Sequence, residues 1–172
     1  MTENTVKKRW IGLFVENEIG VLARVSGLLA GKSYNLDELT VGVTEDESIS
    51  RMTITLTSDD KTFEQVKKQL NRSVEVIKVI DYTDISIHRK ELMYVKIKGM
   101  NPTEKEEAFR IAQVFAGVKV SDCDKTAVLL ECVQTGKRND DLIALLKSIY
   151  GNRIEVVRGG SVAIEAISKS DS

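Results

Sequence analysis

Glu38–Thr57 reads ELTVGVTEDESISRMTITLT. Leu39, Val41 and Val43 alternate with Glu38, Thr40 and Gly42, and after the acidic run TEDES, Met52, Ile54 and Leu56 alternate with Thr53, Thr55 and Thr57. A period of two puts the apolar residues on one face, so the stretch is expected to form two half-buried strands joined as a hairpin. Working backwards, WIGLFVE (10–16) is a short, nearly unbroken apolar run that suits a buried strand. Between them, Val21, Leu22, Val25, Leu28 and Leu29 recur at helical spacing, and Gly31 is placed to end that helix. Working forwards, Asp59 and Asp60 can cap a second helix that carries Phe63, Val66 and Leu70 on one side, and SVEVIKVID (73–81) closes as a strand. The order is β-α-β-β-α-β, ending near Tyr82.

The same order begins again after TDISIHR (83–89). ELMYVKIKG (91–99) is a strand with Met93, Val95 and Ile97 on one face, and Asn101-Pro102 starts a helix carrying Ala108, Ile111, Ala112 and Phe115. VKVSD and TAVLLECV make a hairpin around Cys123-Asp124, and a helix with Leu142, Leu145, Leu146 and Ile149 follows. RIEVVRGG and SVAIEAIS give one strand signal more than the plan needs, so Gly159-Gly160 marks either a bulge or a further hairpin. The expected class is α+β: two tandem ferredoxin-like domains with both helices on one face of an antiparallel sheet, at 1–82 and 90–172 with a linker over 83–89. The bare sheet faces invite a partner, either a second copy or the other domain of the chain. WIGLFVE is apolar on both faces, with Trp10 and Phe14 opposite Ile11, Leu13 and Val15, which favours the second copy.

Composition narrows the function. The 172 residues include 25 Lys+Arg against 26 Asp+Glu, a balance that argues against a protein built to neutralise nucleic-acid phosphates. Threonines stand in RMTITLT where an RNA-binding sheet needs rings, and only 5% of the chain is aromatic. No run approaches the roughly 20 apolar residues of a membrane span, and MTENTVKKRW has no apolar signal core, so a cytoplasmic location is expected. Cys123 and Cys132, nine positions apart with one histidine in the chain, are expected as reduced, partly buried thiols and not as a zinc site.

Convergent catalytic groups are scarce. His88 lies beside Arg89 and Lys90 in the inter-domain segment without a Ser, Cys or Asp partner and is expected to be solvated. Glu45, Asp46 and Glu47 suit a hairpin turn better than a metal. Hydrolase, zincin and nucleotide fingerprints are absent. What remains is VENEIGVLARV (15–25), where the first helix opens on a bare glycine. A helix start has unpaired N–H groups and partial positive charge, so a ligand carboxylate could approach Gly20, Val21 and Leu22, with Asn17 donating to it. Asn35 could accept from an ammonium, and Leu13, Leu22 and Leu36 would suit an aliphatic side chain. Alternatively, Gly20 is only a tight turn and Asn17 its side-chain cap; the residues leave both readings open.

These residues carry a resemblance. ENEIGVLARV (16–25), Tyr34-Asn35-Leu36, Leu39-Thr40-Val41, Ser50-Arg51-Met52-Thr53-Ile54, Gln69-Leu70, Val74–Val79 and Arg89–Lys96 are similar to the small regulatory subunits of acetolactate synthase, over nearly the whole chain. The resemblance implies an N-terminal ACT domain and a non-catalytic cytoplasmic subunit that activates a separate catalytic subunit in branched-chain amino-acid biosynthesis. That partner would carry thiamine diphosphate, Mg and FAD. It also implies ACT domains paired as a homodimer, with a valine-type feedback inhibitor between Asn17, Gly20, Val21 and Leu22 of one copy and Asn35 and Leu36 of the other. The rival is a free-standing amino-acid-binding ACT regulator. Departures from the family pattern are Ser33 for a glycine before Tyr-Asn, Ala116 for an arginine, Gly159 for a Ser/Thr after Arg158, and AIEAIS without its usual arginine.

Overall fold

The computed structural model describes residues 6–30, 34 and 36–167. The first unit runs through β1 (Lys7–Glu16), α1 (Val21–Ala30), β2 (Leu36–Val43), β3 (Ile49–Ser58), α2 (Asp60–Asn71) and β4 (Val76–Asp81). Its sheet has the order β2-β3-β1-β4, antiparallel throughout, with Ile11 opposite Ile54 and Leu13 opposite Met52. The expected hairpin is therefore β2–β3, and β1 is a central strand. Alternation sends Ile11, Leu13, Val15, Met52, Ile54 and Leu56 to one face, where they pack with Val21, Val25 and Leu29 of α1 and Phe63, Val66 and Leu70 of α2. Asp59 caps α2 by accepting the Thr62 N–H at 2.6 Å. The helix stop expected at Gly31 lies outside the described residues.

Two side chains depart from the pattern. Leu22, read as part of the apolar stripe, is 45% exposed. Arg9, a charged residue beside Lys7 and Lys8, is 4% exposed, stacked with the Phe63 ring at 5.0 Å and paired with Asp60. Its long stem takes up core space while its head reaches the start of α2.

The second unit repeats the plan with β5 (Ile87–Ile97), α3 (Pro102–Val114), β6 (Val118–Cys123), β7 (Val128–Gln134), α4 (Gly136–Tyr150), a 3₁₀ turn at Gly151–Arg153 and β8 (Ile154–Glu165), in the order β6-β7-β5-β8. Met93, Val95, Ile97, Leu130, Cys132, Leu142 and Leu146 form its core. His88 is exposed on β5, which begins inside the segment read as a linker. Cys132 is buried and Cys123 exposed, both as free thiols. The surplus strand signal is the far half of β8, which runs through Gly159-Gly160 without a hairpin, Gly160 adopting φ 77°. By compactness, the chain divides into Met1–His88 with Val162–Ser172, and Arg89–Ser161. The last residues of β8 thus belong with the first unit.

α3 begins with a reciprocal cap: Asn101 accepts the Glu104 N–H at 2.9 Å, and Glu104 accepts the Asn101 N–H at 2.9 Å. Arg153 closes on the same carboxylate at 2.6 Å. The Arg153 hydrogen bond, then the Asn101 N–H, hold the Glu104 carboxyl at about 2, below its ordinary 4.5. A folded-state value below the unfolded one adds stability that is present above about pH 4.5 and lost as pH falls through about 2. Glu104→Gln should lower the urea midpoint of the second unit at pH 7, and its gap to the native chain should narrow progressively from pH 4.5 to pH 2. A gap independent of pH would refute the assignment.

Candidate functional site

A cavity of about 270 Å³ opens where the end of β1 turns into α1. Val15, Glu16, Asn17 and Glu18 form one wall, Val21 and Leu22 of α1 a second, and Val41, Gly42 and Val43 of β2 with Ser50 and Met52 of β3 the remainder. Val15, Val21 and Met52 are buried and make an apolar floor, whereas Leu22, Val41 and Val43 stand 45%, 46% and 58% exposed at the rim. Exposed aliphatic residues around a concavity with a buried apolar floor are the composition of a ligand site.

Of the residues expected there, Asn17, Val21 and Leu22 line the cavity. Gly20 lies outside the lining, at φ 87°, a conformation that side-chain-bearing residues rarely adopt. Its glycine is thus required by the turn itself, whatever binds. Leu13 is fully buried in the core, and Leu36 packs half-buried against the core away from the lining. Asn35 lies outside the described residues. The structure adds Val41, Val43, Ser50 and the two carboxylates Glu16 and Glu18 to the site. The alternation in the sequence places Val41 and Val43 only on the inward face of a half-buried strand.

Asn17 is a fastener. Its side-chain NH₂ donates to the Glu47 carbonyl at 2.8 Å, its oxygen accepts the Ser50 hydroxyl at 3.0 Å, and its backbone N–H donates to the Ser48 carbonyl at 2.7 Å. It ties the end of β1 to the β2–β3 turn, which Asp46 shapes by accepting the Ser48 N–H and hydroxyl. Those two Ser48 bonds hold the Asp46 carboxyl below its ordinary value, so the acidic run is a hydrogen-bonded turn. An amide with two hydrogens and one bond to Glu47 retains a donor.

At the helix start, Val21 N–H reaches the Glu18 carbonyl at a long 3.3 Å, and the first turn of α1 carries no acidic side chain. Arg24, whose guanidinium passes within 3.2 Å of where a Gly20 Cβ would stand, is held by Glu75 at 2.5 Å. Glu16 and Glu18 line the cavity beside the positive start of α1, and Arg24, outside the lining, is paired with Glu75. That charge layout suits a zwitterion with an aliphatic side chain. Among the described residues there is no cluster of three metal-binding side chains.

The fold defines the class: tandem ferredoxin-like domains, the first with a small cavity at its β1–α1 turn. Residues 11–78 match the family model described as the AHAS small subunit-like ACT domain, and residues 90–167 match that of the small subunit of acetolactate synthase. The chain is 40% identical over 159 residues to the acetolactate synthase small subunit of Aquifex aeolicus, covering 92% of this chain and 81% of that one. It is 32% identical over 157 residues to the isozyme 3 small subunit of Escherichia coli, covering 91% and 94%. The crystal structure of the acetolactate synthase small subunit from Thermotoga maritima superposes with TM-score 0.83 at 27% identity, over 95% of this chain and 99% of that one. The chain belongs to the acetolactate synthase small-subunit family. Among its described residues no helix is long and apolar enough to cross a membrane.

Proposed function

We propose that this chain is the cytoplasmic regulatory subunit of an acetolactate synthase: it binds the catalytic subunit, raises its activity, and lowers it again when a branched-chain amino acid fills the cleft at the β1–α1 turn. The observation that carries this reading is the extent of the family match, which takes in both domains in order. A free-standing ACT regulator would need the first domain alone and gives no account of the second. Thiamine diphosphate, Mg and FAD belong to the catalytic partner in this reading, and pyruvate is condensed there.

The cleft supports the effector part. The α-carboxylate sits at the start of α1, near the N–H groups of Gly20, Val21 and Leu22 and the Arg24 charge, with the spare Asn17 donor beside it. The aliphatic side chain lies against Val15, Met52 and Leu22. Glu16 and Glu18 accept the ammonium, which disfavours 2-oxo acids of the same skeleton because they bring a carboxylate and no cation. The exposed Val41 and Val43 then meet a second copy of the chain, whose Asn35 and Leu36 close the site in a homodimer. The amino acid favours one assembly by its differential affinity.

Mixing this chain with an acetolactate synthase catalytic subunit and following acetolactate formation from pyruvate tests the reading. Activity is expected to rise severalfold and saturate at a fixed subunit ratio. No rise at any ratio would defeat it.

A further inference from the structure

The helix-free face of the first sheet is not left bare. On it, Trp10, Gly12 and Phe14 of β1 stand opposite Thr55, Thr53 and Arg51 of β3. Tyr82, just past β4, folds back over this face, and Gly12 makes room for it: a Cβ at residue 12 would stand 2.5 Å from the Tyr82 hydroxyl. Arg51 donates to the Tyr82 hydroxyl at 2.7 Å and to the Glu165 carboxylate at 2.9 Å while lying over the Phe14 ring. Ala163, at the far end of β8, is buried. Its N–H donates to Thr53 Oγ1 at 3.3 Å, and its carbonyl accepts from Tyr82 at 3.5 Å. Ala166 N–H donates to the Ser86 carbonyl at 2.8 Å. A run of four residues is thus held by side-chain and main-chain bonds to three separate parts of the first unit.

The grip has a particular place on β3. Ser50 lines the cavity and bonds Asn17; Arg51, its neighbour in sequence, points to the opposite face and bonds Glu165. Gly42, paired with Arg51 across the hairpin, also lines the cavity. A shift of β3 at the cleft therefore moves Arg51, because successive residues of a strand are rigidly linked through the sheet. β8, which begins as a strand of the second sheet, ends under that side chain.

We propose that Ala163–Ala166, the end of β8 and the residue after it, is a strap held by the effector domain, and that Arg51 and Glu165 pass the occupancy of the cleft to it. The coupling half rests on the effector reading above; the strap itself does not. Arg51 and Glu165 are positioning residues, since neither lines the cavity.

Amide exchange in the full chain, combined with inhibition of the reconstituted synthase, tests both halves. In Glu165→Gln the Ala163 amide should exchange at least tenfold faster. Valine should bind the isolated variant within threefold of native affinity, yet the concentration needed for half-inhibition of the complex should rise at least tenfold. Thr53→Val removes the acceptor of the Ala163 N–H without touching the ion pair, and should reproduce the faster exchange if Glu165→Gln folds poorly. Unchanged Ala163 exchange in both variants would overturn the strap. Faster exchange with a superimposable inhibition curve would overturn the coupling and leave the strap supported. If the native chain binds no branched-chain amino acid, the effector reading and the coupling fall together, while the exchange rates still decide the strap.

Discussion

Gly20→Asp is expected to abolish the stabilisation of this chain by the proposed amino-acid effector. At 100 times its dissociation constant a ligand adds roughly 2.7 kcal/mol, which raises the melting temperature by roughly 5–10 °C for a chain of this size. Two like charges about 4 Å apart near a protein surface repel by roughly 4 kcal/mol, and in the proposed site a carboxylate at residue 20 would stand beside that of the ligand. Affinity then falls on the order of 1,000-fold, and at the same ligand concentration the stabilisation drops below about 0.1 kcal/mol. The backbone complicates this result in a calculable way. At φ 87° any side chain is strained, by roughly 1 kcal/mol for aspartate, one of the better-tolerated residues there, so the variant also melts lower without ligand. Gly20→Asn carries the same strain without the charge and should keep most of the ligand shift. Thermal unfolding of the three proteins with and without valine, leucine and isoleucine separates the two effects. Equal loss in Gly20→Asn and Gly20→Asp would show that the turn matters and the anion site does not.

Glu91→Ala should cost the second unit about 3 kcal/mol. Glu91 is 1% exposed and meets Arg158 through two bonds of 2.7 Å, Nε to Oε1 and Nη2 to Oε2. The buried Asn139 donates to the same carboxylate at 3.0 Å and accepts from Gln134 at 3.4 Å. These contacts join β5, β8 and the start of α4 to the end of β7. The bond to Glu91 above all, with that to Asp140 beside it, drives the Arg158 guanidinium still further above its ordinary value. Breaking one side of a buried ion pair costs roughly 3–5 kcal/mol. Arg158 keeps Asp140 at 2.6 Å and its side chain is 36% exposed, which lowers its share; the Asn139 amide left without its acceptor restores part of it. Replacing both partners by Glu91→Leu with Arg158→Met should cost less than Glu91→Ala alone, because the only charge then left without its partner, Asp140, is exposed. Urea unfolding followed by amide exchange in β5 and β7 measures it. A cost under about 1 kcal/mol for Glu91→Ala would mean the pair is not what fastens these elements.

The alternating and helical periods made the fold legible. Leu39 to Leu56 announced the hairpin, and Met93, Val95 and Ile97 the second domain, because a side chain's face follows from its neighbours two or four positions away. Asn101-Pro102 announced the start of α3 for the same local reason. Partners far along the chain leave no such period. Glu91 and Arg158 are 67 residues apart, Arg51 and Glu165 are 114, and each looks like an ordinary exposed charge until the sheet brings it in. Asn17 illustrates the limit within the site. Its type and its place before the helix pointed to ligand contact, yet most of its bonding secures a turn 30 residues on. Gly20 was conspicuous as a missing cap, and its positive φ supplies a backbone reason that no residue pattern discloses. The carboxylates of Glu16 and Glu18 give no signal in the sequence, because two acidic residues beside a turn are commonplace. They matter only beside the positive start of α1.

The most direct measurement is a titration of the reconstituted synthase with valine, leucine and isoleucine, using the native chain and Gly20→Asp in parallel. Both chains should raise catalytic activity to a similar level, since the exchange is aimed at the proposed carboxylate position at the start of α1, just outside the cavity lining. At least one of the three amino acids should then lower the activity of the native complex in a saturable manner, and the Gly20→Asp complex should stay active at the same concentrations. Identical inhibition curves for the two complexes, or a native complex that none of the three inhibits, would contradict the placing of regulation at the β1–α1 turn.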